Sequence, residues 1–119
     1  ARHPRVLLTP PLGYLDFIHL MKRADFIVTA SGGVQEEAPS LGLPVLVARE
    51  KTERPEALKT GLMRVIGVSG EKLLAALSRI PSRRARPPRN PYGDGRAAVR
   101  IAQAILHRFG RVPRRPRDL

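Results

Sequence analysis

The 119-residue sequence contains no cysteine and no tryptophan, and its aromatic side chains are three Phe and two Tyr. Without cysteine it can form neither a disulfide framework nor a thiolate nucleophile, which fits a cytosolic protein. No apolar run approaches the roughly 20 residues that a membrane-spanning helix requires. The chain begins without Met and leads into an apolar segment that lacks the features of a signal sequence. We expect one small domain, either processed or a fragment, with no membrane partner.

Acidic residues are scarce in the last third of the chain. Residues 1–78 hold 10 Lys or Arg and 8 Asp or Glu, whereas residues 79–119 hold 12 Arg and 2 Asp, so the net charge of +12 divides into +2 and +10. Such a region could bind a nucleic acid or another polyanion, or it could be a solvated linker and tail. The second interpretation is favoured, because Tyr92 and Phe109 offer no stacking platform and no nucleic-acid motif is present.

Short apolar runs alternate with segments of helical periodicity along the chain. The apolar runs predict strands at residues 6–8, 26–30, 45–48 and 63–68. The helical periodicity predicts helices at residues 14–23, 34–41, 71–80 and 97–109. Another helix is expected to be capped by Thr52, to hold Pro55 in its first turn and to end at Gly61. Pro39 should stop or kink the second helix, which Gly42 then ends.

This alternation of strands and helices predicts an α/β fold. Strands that are apolar throughout are typical of a sheet with both faces covered, so we expect a doubly wound, parallel, Rossmann-like sheet with right-handed crossovers. We divide the chain into a Rossmann-like unit over residues 1–80, a Pro/Arg linker and turn over 81–96, a helix over 97–109 and a basic tail over 110–119. Ligands bind beyond the carboxyl ends of the strands in such sheets. Residues 10–13, 31–33 and 49–54 should therefore share one ligand-binding edge.

The strand-to-helix turn Ser31-Gly32-Gly33 is the strongest candidate motif. Two glycines let a backbone approach a ligand closely, and the N–H groups at a helix start favour an anion such as phosphate. A plain tight turn, with Ser31 as a helix N-cap, is the alternative. Elsewhere, the three histidines show no metal-ligand spacing, and Asp94 lies in a sequence typical of a turn.

Four motifs, in order, resemble the non-hydrolysing UDP-N-acetylglucosamine 2-epimerases. They are Thr-Ala-Ser-Gly-Gly-Val-Gln-Glu-Glu-Ala-Pro-Ser-Leu-Gly at residues 29–42, Pro-Val-Leu-Val at 44–47, Thr-Glu-Arg-Pro-Glu-Ala at 52–57 and Asn-Pro-Tyr-Gly-Asp-Gly at 90–95. The resemblance extends from about Pro11 to Leu106. Each motif alone is weak, whereas the ordered set is specific.

The resemblance implies a cytoplasmic homodimer of subunits with two Rossmann-like domains, as in B-type glycosyltransferases. This chain would be the later part of the second domain, and the N-terminal domain would be its partner. The implied reaction converts UDP-N-acetylglucosamine reversibly to UDP-N-acetylmannosamine. UDP is eliminated to leave an enzyme-held 2-acetamidoglucal and is then added back on the inverted face. No cofactor is implied, and nucleic acid is not an expected partner.

The resemblance also implies roles for individual residues. Phe17 and the loop around Leu12 would lie near the uracil, and Glu37 would hold the ribose hydroxyls. Ser31, Gly32 and Gly33 would bind the diphosphate, with Arg54 close to the phosphates.

Each of these side chains also has a plainer explanation. Phe17 could be a core aromatic, Glu37 could complement a helix dipole, and Arg54 could form an ion pair with Glu50 or Glu56.

The chain departs from the family pattern at three positions. Ala30 replaces an Asp that is common in the family, and Glu50-Lys51 stands where the family has Asp-Thr before Thr-Glu-Arg-Pro. The family's acid/base residues lie upstream of any segment present here, so we expect no catalytic residue in this chain. The alternatives are another B-type nucleotide-sugar enzyme, either a hydrolysing epimerase or a glycosyltransferase, and a basic polyanion-binding module.

Overall fold

The computed structural model describes residues 3–81 and 90–115. The predicted linker falls largely on residues 82–89 and the end of the predicted tail on residues 116–119, which lie outside the described residues. The elements in chain order are α1 (Tyr14–Arg23), β1 (Ile27–Thr29), α2 (Gly32–Glu37), a 3-10 helix (Ala38–Leu41), β2 (Val45–Val47), a second 3-10 helix (Pro55–Thr60), β3 (Met63–Val65), α3 (Gly70–Leu77) and α4 (Ala97–Arg108).

The described strands form a parallel three-stranded sheet in the order β1-β2-β3. Val28, Leu46 and Arg64 are paired across it at the same level. Because side chains alternate between the faces of a strand, these three point to one side of the sheet. Their neighbours along each strand point to the other side.

Both faces of the sheet are covered, as a parallel α/β sheet requires. On one face, Val45 and Val47 pack in a core with Met21 of α1 and with residues of both 3-10 helices. On the other face, Leu46 packs with Ile66 and with Ala76 of α3. All three residues of β2 are buried because this strand lies between two others and beneath helices on both sides. The predicted α/β, Rossmann-like fold class is confirmed.

Local signals set several element boundaries. Helix α1 covers the predicted residues 14–23, and Lys22 and Arg23 lie in its last turn, where they complement the helix dipole. Helix α2 gives way to a 3-10 turn before Pro39, as a proline inside a helix requires. Gly42 and Gly61 end the two 3-10 helices with φ values of 66° and 72°.

One predicted strand is wrong, and one predicted helix has Pro55 in its first turn and ends at Gly61 as expected but differs in type and in its N-cap. Residues 6–8 form no strand, because no described strand lies beside them to accept and donate backbone hydrogen bonds. Leu7 and Leu8 are consequently 86% and 85% exposed. The helix expected from Thr52 to Gly61 is a 3-10 helix over Pro55–Thr60, with Arg54 rather than Thr52 at the N-cap position. The Thr52 side chain is engaged elsewhere, in a contact with α2.

Helix α4 differs from the others because none of its residues is buried. Val99, Ile101 and Ile105 are more than half exposed. No helix within residues 3–81 and 90–115 is long and apolar enough to cross a membrane.

Candidate functional site

The glycine turn, defined here as residues 31–33, joins the end of β1 to the start of α2. Ser31 takes the N-cap position with extended backbone angles, φ −76° and ψ 131°, but its hydroxyl makes no capping hydrogen bond within the described structure. Its backbone N–H donates to Thr29 Oγ1 at 3.0 Å. Because Ser31 and Gly33 are both exposed, the turn presents an open surface to solvent.

The two glycines of the turn are not required by backbone conformation. Neither Gly32 nor Gly33 is among the glycines with positive φ. A Cβ at Gly32 would approach no atom closer than 3.7 Å, and one at Gly33 none closer than 4.0 Å, which are ordinary contacts. The fold would therefore accept alanine at both positions. What glycine provides here is a bare backbone that a ligand can reach.

Arg54 brings a cation to this bare backbone. The atom nearest to a Cβ placed on Gly32 would be Arg54 Nη2, at 3.7 Å. Arg54 Nε donates to Glu36 Oε1, and this hydrogen bond raises the pKa of Arg54. Its partner is thus Glu36, whereas the alternative, an ion pair with Glu50 or Glu56, is not among the ion pairs of the described residues. Arg54 Nη1 donates to the Glu53 carbonyl at 3.4 Å, and Nη2 is the guanidinium nitrogen nearest the glycine turn.

A hydrogen-bonded pair, Gln35 and Thr52, lies behind the turn. Gln35 is fully buried. Its Nε2 donates to the Ser31 carbonyl at 3.1 Å, and its Oε1 accepts from Thr52 Oγ1 at 2.6 Å. Thr52 Oγ1 in turn accepts the backbone N–H of Arg54 at 3.0 Å.

Gln35 is not among the residues predicted from the sequence, although a signal for it was present. It shares the buried face of α2 and the following turn with Ala38 and Pro39. A polar side chain on such a face needs hydrogen-bonding partners, because a buried amide without them is destabilising.

The other predicted site residues lie around α1. Glu37 Oε1 accepts a hydrogen bond from Tyr14 Oη at 3.4 Å, which links the end of α2 to the start of α1. Phe17 is half-buried and packs against the core below the sheet face. Leu12 lies beside α1, in a groove of about 570 Å³ that also includes His19.

The structure therefore brings together two of the three loops expected at one edge. The glycine turn meets residues 52–54 directly. Residues 10–13 do not follow a strand, because residues 6–8 are outside the sheet. The residue that follows them, Tyr14, contacts the end of α2 through Glu37. A second groove, of about 430 Å³, lies between β3 and α3 and includes Lys72, so neither groove coincides with the glycine turn.

The turn at residues 90–95 reaches back to the site from the far end of the chain. Tyr92 Oη donates to the Arg54 carbonyl at 3.3 Å, and Asn90 Nδ2 donates to Ser40 Oγ at 2.5 Å. Partial burial raises the pKa of Tyr92. Asp94 instead accepts two hydrogen bonds from Arg100, at 2.7 and 2.8 Å, and one from the Arg96 N–H. These contacts give Asp94 a structural role, as its turn sequence predicts.

The site consists mainly of one cation, several backbone N–H groups and a carboxylate at the helix end. A planar guanidinium and backbone N–H groups are suited to phosphate oxygens, and a carboxylate accepts hydrogen bonds from hydroxyls. Within the described ranges, no three His, Asp or Glu side chains form a group that could hold a metal ion.

Comparison with known proteins identifies relatives that are similar over most of this chain. The chain is 48% identical over 105 residues to the UDP-N-acetylglucosamine 2-epimerase of Salmonella typhimurium and 45% identical over 105 residues to that of Escherichia coli. Each alignment covers 84% of this chain and 28% of the relative. The chain thus spans less than a third of the length of these relatives.

Solved structures give the same result. The S. aureus MnaA–UDP co-structure matches with a TM-score of 0.87 and 39% identity over 98% of this chain and 33% of that one. The Methanocaldococcus jannaschii UDP-GlcNAc 2-epimerase in complex with UDP-GlcNAc and UDP matches with a TM-score of 0.73 and 38% identity over 83% and 27%. The family model for UDP-N-acetylglucosamine 2-epimerase matches residues 1–106. The chain therefore belongs to the UDP-N-acetylglucosamine 2-epimerase family.

Proposed function

We propose that this chain supplies the UDP-binding side of a non-hydrolysing UDP-N-acetylglucosamine 2-epimerase. The observation that carries the proposal is the position of Arg54. Its guanidinium lies beside the glycine turn, where the fold would accept alanine in place of either glycine. A bare backbone beside a planar cation is an arrangement suited to a diphosphate. Membership of the family and the UDP in the S. aureus co-structure support this assignment.

In the proposed reaction, binding of the leaving UDP contributes to catalysis. A base outside this chain removes the proton from carbon 2 of the sugar, the bond from carbon 1 to the diphosphate oxygen breaks, and UDP leaves as an anion. Re-addition of UDP to the resulting 2-acetamidoglucal, with protonation on the inverted face, gives UDP-N-acetylmannosamine. Arg54 and the N–H groups of the glycine turn would stabilise the charge that develops on the diphosphate during elimination.

We assign the remaining parts of UDP to neighbouring residues. Glu37 would accept hydrogen bonds from the ribose hydroxyls, with Tyr14 fixing its carboxylate from the other side. Phe17 would offer the uracil the part of its ring that the core leaves exposed, and Leu12 would lie against the same base. The complete enzyme would be a cytoplasmic homodimer in which an N-terminal domain provides the acid/base residues. No cofactor is needed for the proposed reaction.

The first test is the thermal stability of the chain with and without UDP. At a tenfold excess over the dissociation constant, UDP should raise the melting temperature by about 5 °C. The shift should disappear in Glu37→Ala and persist in Glu56→Ala, a matched change at an exposed glutamate. Folded wild-type protein that shows no shift with millimolar UDP would contradict the assignment of this site.

The second test identifies the reaction. The complete protein, incubated with UDP-N-acetylglucosamine, should give UDP-N-acetylmannosamine as the product detected by NMR. Release of free N-acetylmannosamine together with UDP would indicate a hydrolysing epimerase instead. A requirement for an acceptor would indicate a glycosyltransferase.

A further inference from the structure

Gln35 combines two properties that are seldom found together. Its side chain is polar and 0% exposed, and it belongs to the helix that starts at the glycine turn. A buried amide is costly unless its hydrogen-bonding groups have partners. Both ends of this amide have one, and the two partners belong to different loops.

The hydrogen bonds of Gln35 form a continuous connection between these loops. From the turn, the Ser31 carbonyl accepts from Gln35 Nε2, and Gln35 Oε1 accepts from the Thr52 hydroxyl. The oxygen of that hydroxyl then accepts the Arg54 backbone N–H. Three consecutive hydrogen bonds therefore connect the backbone of the turn to the backbone of the arginine beside it.

The next residue of α2 fixes the arginine's side chain. Glu36 accepts from Arg54 Nε, so two consecutive residues of one helix determine both where the Arg54 backbone lies and where its guanidinium points. Rotation of a long arginine side chain is otherwise free and costs entropy when it is fixed. Here that cost is met before a ligand arrives, which favours binding through preorganisation.

We infer that Gln35 and Thr52 form a clasp that positions Arg54 relative to the glycine turn for recognition of a diphosphate. Gln35 and Thr52 are positioning residues, since neither is proposed to touch the ligand. The inference rests on the proposed function, because the diphosphate is the ligand that the two loops would share. It goes further by separating the phosphate end of the site, which the clasp controls, from the uridine end, which it does not contact.

Thr52→Val and Thr52→Ser provide the matched pair for the test. Valine has nearly the shape of threonine but can neither donate to Gln35 nor accept from Arg54, whereas serine keeps the hydroxyl. Calorimetric titration with UDP should show affinity about tenfold weaker in Thr52→Val, corresponding to loss of a buried hydrogen-bonded link. Thr52→Ser should remain within about threefold of wild type. Uridine, which lacks the phosphates, should bind both variants as it binds the wild type.

Amide hydrogen exchange gives a readout that needs no ligand. Thr52→Val should accelerate exchange of the Arg54 amide, which loses its acceptor, while leaving α3 unchanged, and Thr52→Ser should restore the slow exchange. Gln35→Met would remove the other half of the clasp from a buried site. If that variant fails to fold, the two Thr52 variants alone decide the question.

The outcomes distinguish failure of the clasp from failure of the proposed function. Equal UDP affinities for Thr52→Val and Thr52→Ser would overturn the clasp and leave the proposed function intact. Equal losses of UDP and uridine affinity in Thr52→Val would also overturn it, because the effect would then be general. A folded wild type that binds neither UDP nor uridine would contradict the proposed function, and the clasp would then have no ligand to position.

Discussion

Two helices of this chain begin with the same pair of residues, Ser-Gly, and they differ in what packs against them. Ser31-Gly32 opens α2 and Ser69-Gly70 opens α3, each with the serine at an extended N-cap and without a side-chain capping bond among the described contacts. A Cβ placed on Gly70 would meet no atom of another described element within 4 Å, whereas one placed on Gly32 would lie beside the Arg54 guanidinium.

This difference shows that a Ser-Gly pair at a helix start does not by itself make a binding site. Helix α3 carries Glu71 in its own first turn, whereas α2 has no acidic residue there. The start of α2 is also connected through Gln35 to a second loop, and the start of α3 shows no such connection in the described hydrogen bonds. The two helix starts differ in the residues that pack against them, and these contacts would give the start of α2 its specificity.

The largest effect should come from removing the cation. Arg54→Ala is expected to weaken UDP binding about 30-fold, because hydrogen bonds to a charged partner are the stronger ones. Lys72→Ala, which removes a cation from the first turns of α3, should leave the affinity unchanged. Calorimetric titration with UDP measures both. Equal effects of the two variants would mean that only overall charge attracts the nucleotide.

A smaller effect is expected from adding one methyl group to each helix start. Gly32→Ala should fold normally, since the new Cβ meets Arg54 Nη2 at an ordinary 3.7 Å, but it should weaken UDP binding about tenfold by blocking the bare backbone. Gly70→Ala should leave UDP affinity unchanged and change the free energy of unfolding by at most about 1 kcal/mol. Melting curves and UDP titrations of both variants check this. Unchanged UDP affinity in Gly32→Ala would show that the ligand does not approach this glycine.

Tyr92→Phe removes the contact that secures the arginine loop from the far end of the chain. Loss of the hydrogen bond to the Arg54 carbonyl should reduce the free energy of unfolding by about 1 kcal/mol. We expect a reduction in UDP affinity of only about threefold, since the clasp still holds Arg54. Urea denaturation and UDP titration measure the two quantities. A larger loss of affinity than Thr52→Val causes would reverse the order of importance proposed here.

The smallest effect concerns a third helix start, that of α4, where Asp94 binds Arg96 and Arg100. These hydrogen bonds, the one from Arg100 foremost, hold the pKa of Asp94 well below its usual range. Because the folded-state pKa is lower than the unfolded value of about 4, Asp94 stabilises the fold above that pH and ceases to do so as the pH falls towards the folded value.

Since the Asp94 pair is exposed, the expected stabilisation is modest and sensitive to salt. Asp94→Asn should melt slightly below wild type at pH 7, and the two should converge as the pH falls below about 4. Melting temperatures measured from neutral to strongly acidic pH check this. A difference that stays constant across this range would assign the effect to the side-chain amide rather than to lost charge.

Features encoded by neighbouring residues were predictable from the sequence. The bounds of α1 follow from apolar spacing and from the basic residues of its last turn. The positive φ of Gly42 and Gly61 follows from their place after a helical segment. The α/β class was also predictable, because it depends on the alternation of strands and helices rather than on any single contact.

Features that depend on contacts between distant segments were not predictable in the same way. An apolar run such as residues 6–8 has the pattern of a strand, but only a neighbouring strand can make it one. The choice of Glu36 over Glu50 and Glu56 as the partner of Arg54 depends on how α2 packs against the loop at residues 52–54. The motifs indicated a candidate site, whereas the hydrogen bonds of Gln35 and Thr52 behind it are visible only in the tertiary structure.

The contacts around Arg54 also imply an order in which the site assembles. Gln35 and Thr52 are 17 residues apart, whereas Tyr92 and Arg54 are 38 apart. Closing the longer loop costs about 0.7 kcal/mol more in chain entropy. We expect the clasp to form while the sheet condenses and Tyr92 to dock afterwards, so that the loop it secures already has its shape. Because Tyr92 follows Gln35, Thr52 and Arg54 in the sequence, it is also the last of these residues to be synthesised, and its docking would complete the arrangement.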